Sequence, residues 1–505
     1  MNRRRFLFGS LAATMAAPLG GMQTTPAARK RNVLFIAVDD LRPELGCYGH
    51  RSIRSPHIDA LAGRGMRFDR AYCQQAVCAP TRASLLTGTR PDTTRVWDLQ
   101  SPLNTVNPEL VSIPRHFRKH GYETISLGKI YHHRDEDPEA WSERPWQPRI
   151  AEGGNWRAYR DPLSLMTEAH GEAALEEARE AGKREGKAVA ANAARRGPAY
   201  EGPDVEDNAY PDGMTCDKAI AELGRLKDKP FFLAVGFLKP HLPFNAPKKY
   251  WDLYGPGDLE LPERRSWPEG MPEVAKSEWG ELRSYAGIPA KGEVDEGTLR
   301  MLIHGYYACV SYTDAQVGRL MAELDRLQLR ESTTVILWGD HGWKLGDYGA
   351  WCKHTNFELD THVPMVLSVP GQKNAGGSTR ALVEYVDVYP TLAEASGLPV
   401  PAQCEGKSMM PLLEDPGRKW KEAAFSQYPR GGQMMGYTLR TERWRYTEWI
   451  HRPSGEIRER ELYDHAESDV ATANLAALRA HAETVKELSR LLDKGQGWRK
   501  VREAV

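Results

Sequence analysis

Several things are scarce in this chain of 505 residues, and each scarcity closes a possibility. Neither charge is in excess: 68 lysines and arginines stand against 68 aspartates and glutamates, where a nucleic-acid binder would carry a basic surplus. No internal apolar run is long enough to span a bilayer. The seven cysteines, at 47, 73, 78, 216, 309, 352 and 404, are too sparse for a disulfide scaffold, and no C-x-x-C pair suggests zinc. Their odd number leaves at least one thiol unpaired. No internal repeat is evident, and only the Ala/Glu/Arg/Lys-rich stretch from Glu168 to Arg196 is strongly biased in composition.

What is present reads as a soluble globular protein, with 41% hydrophobic and 27% charged residues. The length predicts two or three domains. At the N-terminus, Arg3-Arg4-Arg5-Phe6-Leu7 precedes an apolar run through Ala17, with no acidic residue before Asp39. This predicts a twin-arginine signal peptide over residues 1–28 and export to the periplasm or beyond. The run is short for an uncleaved membrane anchor, and no cysteine follows it closely enough for a lipid anchor. The twin-arginine translocase moves folded proteins, so a modification or cofactor could be installed before export.

Along the chain, five apolar runs read as strands: Asn32–Val38, Tyr122–Leu127, Pro230–Phe237, Thr333–Trp338 and Pro364–Val369. Four of them end in chemistry-bearing residues. Asp39 and Asp40 follow the first, Lys129 and His132 the second, His241 the third, and Asp340 and His341 the fourth, with Lys353 shortly beyond. Open α/β sheets place ligands at such strand ends. Two aspartates at a strand-to-loop bend can converge on one cation, although turn or capping roles are the plainer alternative. His241, held among prolines, suits either a rigidly mounted proton donor or a packed turn residue. Helical spacing over residues 298–328 buries Leu302, Tyr306, Val310, Val317, Leu320 and Leu324.

Cys78-Ala79-Pro80-Thr81-Arg82 predicts a short helix stopped by Gly88, with Cys78 just ahead of its N-terminus and Arg82 one turn on, facing the same side. A structural cysteine, or a disulfide to Cys73, is the alternative. Carboxylates dominate the candidate ligands Asp39, Asp40, Asp340 and His341, favouring a hard cation such as Ca²⁺ or Mg²⁺ over zinc. The expected fold is α/β: a large mixed, mainly parallel sheet flanked by helices, over residues 29–400. It carries a helical or loop insertion near 141–211 and a smaller antiparallel C-terminal subdomain over 401–505, covered by a helix near 474–493.

The C-x-P-x-R pattern at Cys78 is accompanied by Val38-Asp39-Asp40-Leu41-Arg42-Pro43, Gly128-Lys129-Ile130-Tyr131-His132, Lys239-Pro240-His241, Asp340-His341-Gly342-Trp343, Lys353 with Asn356-Phe357, and Met435-Gly436-Tyr437. In this order they resemble the type I sulfatases of the alkaline phosphatase superfamily, most closely the iduronate-2-sulfatases, over nearly the whole mature length. The resemblance implies that Cys78 is oxidised by a formylglycine-generating enzyme and that the hydrated aldehyde is the nucleophile. It implies Ca²⁺ held by Asp39, Asp40, Asp340, His341 and the modified side chain at 78. Arg82, Lys129 and Lys353 would hold the sulfate, His241 would protonate the departing sugar oxygen, and His132 would assist sulfate release. His341 stands where many sulfatases carry Asn but agrees with the iduronate-sulfatase pattern, whereas Lys344 departs from it. The implied substrate is a 2-O-sulfated uronic acid at a non-reducing end, with Lys344, Arg440 and Arg445 expected to line an anionic sugar site. The alternatives are a phosphonate monoesterase or phosphodiesterase of the same superfamily and a sugar-binding relative without catalysis.

Overall fold

Every residue from Asn32 to Val38 is buried, because this strand (β1) sits in mid-sheet with a core on each face. Leu34, Ile36 and Val38 point into one core and Val33, Phe35 and Ala37 into the other, the two-residue alternation of an extended chain. A strand covered on both sides needs an unbroken apolar run, and that is its sequence. The computed structural model describes residues 30–133, 136–149, 156–185 and 196–496. The expected signal peptide lies outside them.

The other strands of this sheet are β2 (Met66–Phe68), β3 (Glu123–Gly128), β4 (Phe231–Phe237), β5 (Thr333–Gly339), β6 (Met365–Ser368) and β7 (Gly377–Thr379). Their order across the sheet is β7-β2-β6-β5-β1-β4-β3. The four strands β5, β1, β4 and β3 run parallel, so their C-terminal ends share one edge. β6 returns antiparallel to β5, as only a loop-rich connection separates them and no crossover helix carries the chain back. The sheet is therefore mixed and mainly parallel about its centre, as the sequence predicts.

The first helix used by the site, α1 (Cys78–Thr87), ends at Gly88 with φ +68°, a left-handed cap that glycine adopts without strain. The insertion contains α2 (Pro162–Glu185); residues 186–195 of the biased stretch lie outside the described residues. The longest helix, α3 (Glu296–Arg326), starts where the Asp295 carboxylate accepts the Thr298 N–H, two residues before the expected start.

Four antiparallel strands follow: β8 (Ala424–Arg430), β9 (Met434–Arg440), β10 (Trp444–His451) and β11 (Glu456–Asp464). The covering helix α4 spans Ala482–Gln496, later than the expected 474–493. Residues 474–475 are instead taken by the sheet edge, where Leu475 donates to the Leu462 carbonyl and the Asn474 amide oxygen accepts the Leu462 N–H. The described residues from Arg31 onward form one compact unit.

Candidate active site

The shared edge of the parallel strands brings together groups that lie up to 300 residues apart. Asp39 and Asp40 leave β1, Asp340 and His341 leave β5, Lys129 leaves β3, and His241 follows β4 by four residues. Asp40 adopts φ +60°, the bend at which the chain leaves the strand. Its N–H donates to Asp340 Oδ1 at 3.0 Å, as does the N–H of His341.

Cys78 enters from α1. Its Sγ lies 3.4 Å from Asp39 Oδ1, 3.4 Å from His341 Nε2 and 3.5 Å from Lys129 Nζ. Arg82, fully buried one turn later, donates to Asp340 Oδ2 at 3.0 Å, to Asp39 Oδ1 at 3.3 Å, and to the backbone carbonyls of Lys129 and Ile130. Its planar fork thus ties three strand ends together, which a single ammonium could not do. All seven cysteines, Cys73 included, are free thiols.

Ligand atoms of Asp39, Cys78, Asp340 and His341 all lie within 4.8 Å of one another. His341 Nδ1 faces the Gly342 carbonyl at 3.1 Å. Donating there leaves the Nε2 lone pair aimed at Asp40 Oδ1, Asp340 Oδ1 and Cys78 Sγ, at 3.4–3.5 Å. With Nδ1 donating, Nε2 can accept only from the Cys78 S–H, and the carboxylate oxygens it also faces offer it no proton, an arrangement that a cation between them would complete. The donor set is carboxylate and imidazole, so the residues fit a divalent metal.

The cations of the site pair with these carboxylates. Lys129 pairs with Asp39, and Lys353 with Asp40 at 3.0 Å. Burial alone would raise the Asp39 carboxyl, but Lys129, His241 and Arg82 hold it well below the usual range. At Asp40 burial outweighs Lys353 and the carboxyl is raised. Burial, reinforced by the Asp39 charge and only partly opposed by Lys129, lifts the Cys78 thiol well above the ordinary thiol range. The side chain is a neutral thiol at physiological pH.

His132 is pushed down to about 3 by burial and then by Lys129, so it is a neutral imidazole. Its Nδ1 is buried without a hydrogen-bond partner. His241 Nδ1 is 2.6 Å from the Leu242 carbonyl, and its Nε2 is 3.0 Å from Glu281 and 3.9 Å from Asp40. The His241 loop is fixed by Lys239, whose ammonium donates to the carbonyls of His241 and Pro243, and by Asp212, which accepts the N–H groups of Leu238 and Lys239 at 2.8 Å.

Glu281 was not foreseen. It lies in a Glu- and Pro-rich connection with no strand end to mark it, yet it joins Lys353 at 2.9 Å and His241 at 3.0 Å. Burial raises its carboxyl, but Lys353 and His241 overcome this and hold it well below normal.

Three expected residues are not at the site. Lys344 is fully buried and donates to Asp360 at 2.6 Å. Arg440 and Arg445 are buried against Glu358, at 2.9 and 2.6 Å. An expectation that they line an anionic sugar site fails because their charges are already neutralised in the interior.

The Sulfatase family model matches residues 31–398, and the one described as N-sulphoglucosamine sulphohydrolase, C-terminal, matches residues 346–497. Iduronate 2-sulfatase of Homo sapiens is 34% identical over 516 aligned positions, covering 88% of this chain and 89% of that protein. Among solved structures, the phosphonate monoester hydrolase of Agrobacterium radiobacter superposes with a TM-score of 0.74 at 23% identity, covering 93% of this chain and 96% of its own. A protein solved in complex with its substrate D-glucosamine-2-N,6-O-disulfate gives 0.73 at 21%, covering 94% and 98%. At these identities the two structures speak to fold alone.

Proposed function

Because the chain belongs to the sulfatase family and is a sulfuric ester hydrolase, we propose that it is an iduronate-2-sulfatase-like exo-sulfatase. It would remove sulfate from a sulfated sugar using a formylglycine made from Cys78 and a bound Ca²⁺. The observation that carries this reading is the placement of Cys78: a buried thiol, 3.4 Å from both Asp39 and His341, at the meeting point of four strand ends. A neutral thiol is a poor nucleophile, so a site built this heavily around residue 78 makes chemical sense when that side chain is converted. The hydrated aldehyde would supply the attacking oxygen, and the cation would supply positive charge to the sulfate oxygens.

This chain's own residues would do the rest. Asp39, Asp40, Asp340 and His341 would hold the ion. Arg82 would fix Asp39 and Asp340, while Lys129 and Lys353 would bind sulfate oxygens from two sides. His241, on its braced loop, would hand a proton to the departing alcohol oxygen, a step worth roughly 10²–10⁴-fold. His132, beside Lys129 and Asp39 and with an unpartnered Nδ1, is the imidazole placed to assist sulfate release. The same reading includes maturation by a formylglycine-generating enzyme and export by the twin-arginine translocase, supported by Arg3–Leu7. It assigns 29–400 to the catalytic domain and 401–505 to a C-terminal subdomain.

Turnover of an aryl sulfate and an aryl phosphodiester by the matured full chain tests it. Sulfate release should dominate and should vanish in Cys78→Ala. Dominant phosphodiester cleavage would favour the phosphonate-hydrolase alternative, and inertness toward both esters would favour a non-catalytic binder.

A further inference from the structure

The cations at residues 129 and 353 account for the sulfate half of the ester and leave the alcohol half unassigned. If His241 protonates the departing oxygen, the alcohol lies just beyond His241. Two side chains meet His241 there, from separate parts of the chain. One is Glu281, 3.0 Å from Nε2, with its side chain 15% exposed and its other oxygen on Lys353. The other is Trp156, from the insertion, whose ring centroid is 5.2 Å from that of His241 at an interplanar angle of 80°. Trp156 is 37% exposed, although Trp338, Trp343, Trp351 and Trp449 are all fully buried.

We propose that Trp156 and Glu281 form the subsite for the alcohol half of the ester and select a sugar ring with a free hydroxyl on a carbon beside the sulfate. An ionised carboxylate only accepts hydrogen bonds. It therefore rewards a hydroxyl or ammonium donor and repels a carboxylate or second sulfate at the same distance. An indole covers the apolar C–H face of a pyranose while its N–H stays available to a polar partner. Together they read a polyol rather than a simple alkyl or an anionic neighbour. Glu281 acts here as a specificity-determining residue, and the 141–211 insertion gains a role. The inference rests on the sulfatase reading above and deepens it.

The matured full chain is first screened against defined sulfated monosaccharides and 4-nitrophenyl sulfate. The best sugar is then compared with its analogue lacking the hydroxyl beside the ester. In the wild type, removing that hydroxyl should lower kcat/KM roughly 10–100-fold. In Glu281→Gln, which keeps only a neutral acceptor oxygen, the same removal should cost several-fold less than in the wild type. Trp156→Ala should raise KM for the sugar about tenfold, with a smaller change in kcat, and Trp156→Phe should recover most of it. Melting curves of each variant verify folding. An equal loss in Glu281→Gln on both sugars would mean that it acts only through Lys353 and His241, and would overturn the proposal. So would a wild type that prefers the deoxy sugar, or one that cleaves 4-nitrophenyl sulfate but no sugar. Release of sulfate from no ester at all would instead overturn the sulfatase reading, and this subsite with it.

Discussion

At the scale of single residues, charge in the sequence says little about what a charge is for. Asp39, Asp340 and Cys78 were legible because each sits at a strand end or helix start that pattern alone reveals. Lys344, Arg440 and Arg445 were misread because a buried partner, Asp360 or Glu358, is invisible in one dimension. Glu281 was missed for the opposite reason: nothing local marks a short helical turn that the tertiary fold presses against Lys353. Buried carboxyls also appear away from the site. Asp314, on α3, accepts the N–H groups of His57 and Ile58 at 3.0 and 2.7 Å. Burial, only partly offset by those bonds, pushes it up to about 7. A carboxyl raised in the folded state favours folding while protonated, and that contribution is lost as pH rises from about 4 through 7. Asp314→Asn stays neutral, so it should gain on the wild type by up to about 4 kcal/mol between pH 4 and pH 8. Urea unfolding at several pH values measures this, and a difference that stays flat across that range would contradict it.

Elements were easier to read than residues. Unbroken apolar runs identified β1, β3, β4 and β5 to within a residue or so, because strands buried on both faces leave no other reading. The covering helix begins eight residues later than the sequence predicts, because Asn474 and Leu475 bond to the sheet edge and tertiary contacts override helical spacing there. Three elements meet at Glu358, at the start of a short helical turn. Arg440 of β9 and Arg445 of β10 bind its carboxylate, and the Tyr72 hydroxyl donates to it at 2.8 Å. Arg430 of β8 adds donations to the carbonyls of Val274 and His354, tying the small sheet to the segments that carry Glu281 and Lys353. Glu358→Ala would strand two buried guanidinium groups and should cost roughly 3–5 kcal/mol of stability. A loss below about 1 kcal/mol in denaturant unfolding would show that the clamp carries no weight.

At the scale of the whole molecule, the site exists only because four parallel strands end at one edge, and this topology follows from a sequence pattern spread over 300 residues. An ion held there by the proposed ligands would stabilise the fold, since it would bind only the assembled edge. Chelation should therefore lower the melting temperature and abolish sulfate release together. Calcium at about 100 times its dissociation constant should restore about 2.7 kcal/mol. Unchanged melting after complete chelation would count against an ion at this edge.

The most direct measurement of the central claim is the mass of the tryptic peptide Ala71–Arg82, taken from full-length protein that has been shown to release sulfate. The account predicts an aldehyde at position 78, visible as the loss of sulfur and two hydrogens with the gain of one oxygen, and as capture by a carbonyl-reactive probe. An intact Cys78 thiol throughout an active preparation would contradict it.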